Sequence, residues 1–231
     1  MPNNVTTSCI ITGPAPEIEH FRATVICVPE QESEITLDFN RIVPMPDILK
    51  ATSKSANADL GIEILTGKPK PHFFCDPSFQ RLFGIQEKEI KAIEQLPAWA
   101  EKEHPEAIEE GRKAIEAYNE TGFYGWYDWS RANWGTKWNS YTFGIDHEAN
   151  GELSFHFDTA WNFPNPIFKK LAEMFPSLRF ECTCIDGWNF AGHGAFNGDP
   201  PFEFVEPTDE LYEAVYGYKP ERRSIRMTDR N

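Results

Sequence analysis

The sequence predicts an α+β fold in which helices cover one face of an antiparallel or mixed sheet. Apolar residues alternate with period two in some short segments and follow helical spacing in others. These segments come in the order βαβ, a helical stretch, then ββαββ, and such segregation is typical of α+β domains. The length of 231 residues and the 40% hydrophobic content suit one domain, residues 1–231, with a buried core.

The first part of the predicted core spans residues 5–45. Residues 5–12 alternate in polarity and end at a Gly-Pro pair, which predicts a strand. Apolar residues at helical spacing then predict a helix over residues 16–25. Residues 34–42, EITLDFNRI, alternate again and predict a second strand.

Residues 46–135 are predicted to form a helical insertion. Prolines punctuate residues 46–85, which predicts loops and short helices there. A clearer helix is predicted over residues 105–119, because proline suits the first helical turn. Its apolar face comprises Ala107, Ile108, Gly111, Ala114, Ile115 and Tyr118.

The second part of the predicted core spans residues 136–197. Its predicted elements are strands at 137–146 and 152–159 joined by an Asn-Gly turn, a helix between the prolines at 164 and 176, and strands at 178–186 and 188–196. Residues 198–231 are predicted to be an acidic and then a basic C-terminal segment.

The charge and cysteine content restrict the classes of partner and compartment. A formal net charge of −14 repels phosphate backbones and anionic lipids, so a basic protein surface is the predicted partner and direct nucleic-acid binding is disfavoured. No apolar run is long enough to cross a bilayer, and the start of the chain does not resemble a secretion signal. Five scattered cysteines do not form a disulfide framework, which predicts a reducing cytoplasm.

Four of the seven tryptophans lie in the string YGWYDWSRANWGTKWN, residues 124–139. Exposed rings would form a stacking platform for bases or sugars, whereas buried rings would clamp the helix at 105–119 against the sheet. On a strand at 137–143, Trp138 would face inward and Lys137 outward, which favours the clamp. We therefore assign Trp134, Trp138 and Trp161 to structure and keep Trp126, Trp129 and Lys137 as candidate binding residues.

A second candidate site contains histidine and aspartate. Period two places His156 and Asp158 on the same face of a strand, where they could share a proton. His193 and Asp186 lie in the neighbouring part of the predicted sheet and could join them. These residues are the candidate catalytic groups, and the alternative interpretation is a solvated sheet face.

Other motifs do not satisfy the chemistry they suggest. Residues 61–68 have five residues between two glycines where a phosphate loop has four, and proline follows the lysine. Cys182 and Cys184 lack the second pair of ligands that a zinc site needs. We therefore predict two buried thiols and no metal site. Residues 122–126 lack the leading base of an RNA-binding strand.

Several short strings resemble one family in the right order. They are WYDW at 126–129, NWGTKWN at 133–139, FDTAW at 157–161 and FAG at 190–192, and the opening strings ITGPAPEIEHF and FNRIVPMP are similar to the start of that family. By these strings the chain resembles the YubB-like family, which is encoded largely by bacteriophages and conjugative plasmids. The resemblance implies a ferredoxin-like domain and an origin in a mobile genetic element, and it brings no catalytic residue.

Together these features predict a non-enzymatic binding protein in the cytoplasm of a bacterial host, without a cofactor. Its acidic helices and acidic segment 199–213 would occupy a basic surface of a host nucleic-acid-handling or defence protein. The alternative is a small hydrolase or nucleotide-binding enzyme that uses His156, Asp158 and His193. A third class, a subunit of a particle or transfer apparatus, would show a large apolar patch and a defined oligomer.

Overall fold

A computed structural model of the chain describes residues 3–29, 33–67, 77–83, 96–187 and 189–220. The chain divides into two compact units. The sheet unit comprises Met1–Pro44 and Arg131–Asn231, and the helical unit comprises Met45–Ser130. None of the helices in the described ranges is long and apolar enough to cross a membrane.

The strands belong to two antiparallel sheets of the sheet unit. They are β1 Asn4–Thr12, β2 Ile26–Cys27, β3 Thr36–Leu37, β4 Tyr141–Ala149, β5 Glu152–Ala160, β6 Arg179–Asp186, β7 Phe190–Phe196 and β8 Glu203–Val205. The large sheet has the order β4-β5-β1-β6-β7-β8, and β2 pairs with β3 in a small one. Every pairing of the large sheet is antiparallel, so the predicted α+β class is confirmed.

In the sequence, helices alternate with these strands, and several helices lie in the segment between β3 and β4. They are α1 Ala15–Val25, α2 Phe39–Ile42, α3 Asp47–Lys50, α4 Ala56–Leu65, α5 Pro77–Leu82, α6 Leu96–Glu103, α7 Pro105–Thr121, α8 Trp126–Asn133, α9 Asn165–Met174 and α10 Asp209–Tyr216. Helix α7 begins at the predicted proline and ends where Gly122 takes a left-handed conformation with φ of 80°.

The alternation along β1 gives the large sheet a buried and an open face. Val5, Thr7, Cys9 and Ile11 are fully buried, while the residues between them are at least partly exposed. On the buried face, phenylalanines from α1 and α9 pack against phenylalanines of the strands: Phe21, Phe155, Phe157, Phe168 and Phe180. Each ring that leaves water contributes roughly 1.5–3 kcal/mol, so this cluster is the main core of the sheet unit.

Two predicted strands are wrong in part. Residues 34–42 contain only the two-residue β3, because the Asp38 side chain accepts the backbone N–H of Asn40 and starts α2. Residues 137–140 precede β4 instead of belonging to it. They are held by side-chain hydrogen bonds, among them Ser140 Oγ to the carbonyl of Leu37 at 2.8 Å.

The C-terminal segment contains elements that its acidic composition did not predict. Strand β8 extends the large sheet beyond β7, and helix α10 begins at a Thr208 cap. Helix α10 packs on β1 and β6, and its Tyr216 hydroxyl lies 3.3 Å from Thr6 Oγ1 on the open face. The start of the predicted last strand, Trp188, and the basic tail at 221–231 lie outside the described residues.

The helical unit is built around the crossing of α4 and α7. Gly61 and Gly111 face each other there, and a Cβ on Gly61 would lie 1.8 Å from the carbonyl oxygen of Ala107. Leu60, Ile64, Ala107 and Ile108 form one buried cluster with Phe83 and Ala100. The first glycine of the string resembling a phosphate loop is therefore a contact between helices, and Lys68 of that string lies outside the described residues.

Candidate functional site

A cleft of about 420 Å³ in the helical unit combines carboxylates with phenol rings. Its charged and aromatic lining consists of Lys54, Asp59, Glu63, Tyr124, Tyr127 and Asp128. Asp59 and Glu63 stand one helical turn apart on α4, so both carboxylates lie on the same side of that helix. The two tyrosines and Asp128 come from the end of the helical unit, at and just before the start of α8.

Hydrogen bonds fix the two walls of this acidic aromatic cleft. Ser55 caps α4 by accepting the backbone N–H of Ala58 at 3.0 Å, and its hydroxyl donates to the Glu110 carboxylate. The hydroxyl of Thr52 accepts the backbone N–H of Trp126 at 3.1 Å and donates to the carbonyl of Leu49 at 2.6 Å. These hydrogen bonds restrain the start of α4 on one side of the cleft and the start of α8 on the other. The cleft is therefore held in one conformation before a ligand binds.

The charges and aromatic rings of the cleft favour a cationic ligand. The cleft lining includes three carboxylates, Asp59, Glu63 and Asp128, and one lysine, Lys54, which forms an ion pair with Asp59 at 3.3 Å. The ring of Tyr124 stacks on Tyr118 with centroids 4.3 Å apart, which restrains its orientation. Carboxylates beside ring faces attract ammonium and guanidinium groups through both charge and the ring quadrupole.

Sequence reasoning did not find this cleft. The signal was present, because Asp59, Ile62, Glu63 and Thr66 share helical spacing. That spacing carries meaning only once the segment is known to be a helix, and the prolines that follow it concealed the period.

The tryptophans assigned to binding lie in the helical unit beside the cleft. Trp129 is buried, with 6% of its surface exposed, so its ring offers little area to a ligand. Trp126 is half-buried and meets Tyr127 edge to face at 5.9 Å. Trp126 therefore supports one of the cleft residues through a ring contact.

The tryptophans assigned to structure lie in the sheet unit. Trp134 is buried and its indole N–H donates to the carbonyl of Val43 at 2.9 Å. The division of four tryptophans between two units was not predicted. The role of the cluster as a clamp stays a prediction.

Lys137 does not point away from Trp138 as predicted. Its ammonium nitrogen lies 4.3 Å from the ring centroid of Trp138 and 4.9 Å from that of Trp161. The prediction failed because residues 137–140 are not a strand, so neighbours do not alternate between faces. Trp161 is 38% exposed and has a φ of 71°, a strained value for an aromatic residue.

The structure places His156, Asp158 and His193 on the open face of the large sheet but not together. His156, Ser8, Thr183 and His193 are successive partners across β5, β1, β6 and β7. At about 4.8 Å per strand, this row separates the two histidines by about 14 Å. General acid–base catalysis needs groups within hydrogen-bond reach of the same substrate, so the row does not bring the pair into one centre.

The partners of these residues also differ from the predicted ones. The His156 imidazole pairs with Asp146 through Nδ1 and Oδ1 at 2.7 Å. Asp158 instead accepts the Thr6 hydroxyl at 2.7 Å. Asp186 is buried and pairs with Phe190, and its register places it on the face opposite Thr183.

Cys182 and Cys184 are buried on the core face of β6, as predicted. Within the described ranges, no group of three or more His, Cys, Asp or Glu side chains could hold a metal ion.

We expect the buried Cys184 to make the protein less stable in alkali. Burial raises the pKa of its thiol to about 12, from 9.0 for a free thiol. Between these values the native state keeps a proton that the unfolded chain releases, so the free energy of unfolding falls by about 1.4 kcal/mol per pH unit. Urea unfolding below and above pH 9 measures this slope. Cys184→Ala is expected to reduce it, and an unchanged slope would contradict the assignment.

Comparisons with known proteins give a family match for part of the chain. Residues 133–199 match a family model described as "Ferredoxin-like domain in Api92-like protein". Among solved structures, the crystal structure of a protein api92 from Yersinia pseudotuberculosis aligns with 90% of this chain and 99% of that chain, at 13% identity and a TM-score of 0.45. A comparison with curated proteins gave no match. The family match and the antiparallel sheet confirm the ferredoxin-like fold class.

Proposed function

We propose that this protein is a non-enzymatic binding protein whose acidic aromatic cleft receives cationic side chains of a basic host protein. The observation that carries the proposal is the excess of carboxylates over lysine among the phenol rings of a preorganised cleft. The host protein would be a nucleic-acid-handling or defence factor. The proposal includes the resemblance of the chain to the YubB-like family, and with it an origin of this protein in a mobile genetic element.

The cleft and the net charge of the chain act at different stages of binding. A net charge of −14 attracts a basic surface over a distance and raises the association rate at low salt. Once the partner arrives, a lysine or arginine side chain can lie along the Tyr124 ring with its charge beside the Asp128 carboxylate. The net charge therefore determines the association rate, and the contacts in the cleft determine the dissociation rate of the complex.

A defined peptide tests the proposal. We expect a fluorescent peptide of alternating lysine and glycine to bind the whole protein, with an affinity that falls as salt rises. The double variant Glu63→Gln/Asp128→Asn, which removes two cleft charges, is expected to lose about tenfold or more in affinity, because each carboxylate contributes about 1 kcal/mol. Fluorescence anisotropy at two salt concentrations measures both effects.

A matched variant separates the cleft from the general acidity of the surface. Glu116→Gln/Glu120→Gln removes two exposed charges from α7 outside the cleft lining, and it should bind nearly as tightly as the unchanged protein. Equal losses in both double variants would remove the cleft from the proposal. Equal binding of a glutamine-glycine peptide, or binding that ignores salt, would remove the proposal itself.

A further inference from the structure

Two reduced cysteines face each other inside the large sheet. Cys9 of β1 and Cys182 of β6 are direct partners across the antiparallel pairing. Both side chains are fully buried on the core face, and their sulfur atoms lie 3.1 Å apart. This separation is a direct contact between two thiols.

The backbone already suits a covalent bond between them. Directly opposed residues of antiparallel strands have Cα atoms about 4.5 or 5.5 Å apart, depending on the type of pair. Disulfides occur with Cα separations of about 4.4–6.8 Å, so either type lies within the permitted range. The sulfur atoms need to approach by only about 1 Å to reach the disulfide length of about 2.05 Å.

We propose that Cys9 and Cys182 are a redox-modification site that forms a cross-strand disulfide with a small-molecule disulfide as oxidant. The thiolate of one cysteine attacks a sulfur of the oxidant and releases one thiolate, leaving a mixed disulfide on the protein. The second cysteine, as its thiolate, attacks the protein sulfur of that mixed disulfide and releases the other half. Two protein thiols are oxidised, one small disulfide is reduced to two thiols, and the two cysteine protons pass through solvent to those thiols.

The neighbouring cysteines are not placed for this reaction. Cys184 lies on the same face of β6, but its partners across the sheet are Thr7 on β1 and Gly192 on β7. Cys27 lies in the small sheet with its sulfur 3.7 Å from Asp38 Oδ2. Cys75 lies outside the described residues. Among the described cysteines, the register therefore selects Cys9 and Cys182.

Burial decides when the pair can react. Burial, as the largest cause, raises the pKa of the Cys182 thiol well above its ordinary value, so the native protein holds little of the reactive thiolate. Exchange then proceeds while the chain folds or while β1 and β6 separate. Whether the disulfide forms therefore depends on the redox conditions under which the chain folds. In a reducing cytoplasm both thiols stay reduced.

The disulfide would join two adjacent strands near the middle of the sheet that are 173 residues apart in sequence. Closing so long a loop restricts the unfolded chain strongly, and we expect oxidation to raise the melting temperature by about 10 °C.

Oxidative refolding of the whole chain tests the site. The protein is refolded in buffer with excess oxidised glutathione, its free thiols are alkylated under denaturing conditions, and non-reduced peptides are mapped by mass spectrometry. We expect a linked pair of peptides containing Cys9 and Cys182, and the raised melting temperature, in both the unchanged protein and Cys184→Ser. Cys182→Ser should show neither.

Two outcomes would overturn the inference. One is that Cys9 and Cys182 both remain alkylatable after oxidative refolding, and the other is that either pairs with a different cysteine. The comparison of the unchanged protein in oxidising and reducing buffer needs no variant, so it decides the question even if a serine variant fails to fold. Circular dichroism in reducing buffer identifies such a failure.

Discussion

Replacing Gly61 with alanine is expected to destabilise the helical unit by about 3 kcal/mol. Intrinsic helix propensity alone would predict the opposite sign, a gain of about 1 kcal/mol. The new Cβ, however, would lie 1.8 Å from the carbonyl oxygen of Ala107 and 2.9 Å from the Cα of Gly111. Backbone atoms have no rotamer to escape into, so α4 and α7 must separate and loosen the cluster around Leu60 and Ile64.

Hydrogen exchange followed by mass spectrometry locates this effect. In Gly61→Ala, the amides of α4 and α7 should exchange faster, and the thermal transition should move to lower temperature. Gly67→Ala is the control, since a Cβ there meets nothing within 4 Å and only the φ of 66° opposes it, at a cost of about 1 kcal/mol. A stability of Gly61→Ala equal to or above that of the unchanged protein would show that the helices do not cross at this glycine.

The second large effect is expected from Asn139→Asp in the sheet unit. Asn139 is 9% exposed; its Nδ2 donates to Asp38 Oδ1 at 2.9 Å, and its Oδ1 accepts the backbone N–H of Phe39 at 2.9 Å. Aspartate has the same shape but replaces the donor with a second carboxylate oxygen. Two buried carboxylates would then meet without a proton between them, at a cost of about 3–5 kcal/mol near neutral pH.

The pH dependence of this variant has a definite sign. The like charges raise the folded-state pKa of the carboxylate pair above that of the unfolded chain. The added penalty is therefore smallest below the unfolded value of about 3.9 and grows as pH rises through the raised value. Urea unfolding near pH 4 and near pH 7 measures the difference.

Swapping the two residues provides the matched control. Asp38→Asn/Asn139→Asp restores one amide and one carboxylate at the same contact, so we expect it to recover part of the stability lost in Asn139→Asp. The recovery is expected to be partial because Asp38 Oδ1 also accepts the backbone N–H of Asn40 at 3.0 Å, and an amide NH2 in that position cannot accept it. Failure of the double variant to recover would mean that the contact between the two side chains is not what stabilises this region.

Period-two and helical patterns predicted the long elements because each buries one regular face. Strands β1, β5 and β6 and helices α1, α7 and α9 all follow such patterns, and each was predicted close to its observed position. The patterns failed where side chains bond to the backbone. Asp38 starts a helix inside an alternating string, and Ser140 holds an irregular segment that reads as a strand.

The candidate sites show a sharper division. Sequence alone placed His156 and Asp158 on one strand face, because alternation is a local property. It could not show that two strands separate His156 from His193, since strand order depends on contacts between distant segments. The cleft was missed partly for the same reason, because Asp59 and Asp128 line it from segments that are far apart in the sequence.

The sequence by itself determined the α+β class, the net negative charge and the burial of the cysteine strand, all of which follow from composition and from periods no longer than a helical turn. Only the tertiary structure decided that Gly61 is a helix crossing, that Lys137 lies over two indole rings, and that Cys9 faces Cys182. The physical reason is range: local patterns reflect backbone geometry within a few residues, whereas the contacts of Gly61 with Ala107, of Lys137 with Trp161 and of Cys9 with Cys182 join segments that are distant in sequence.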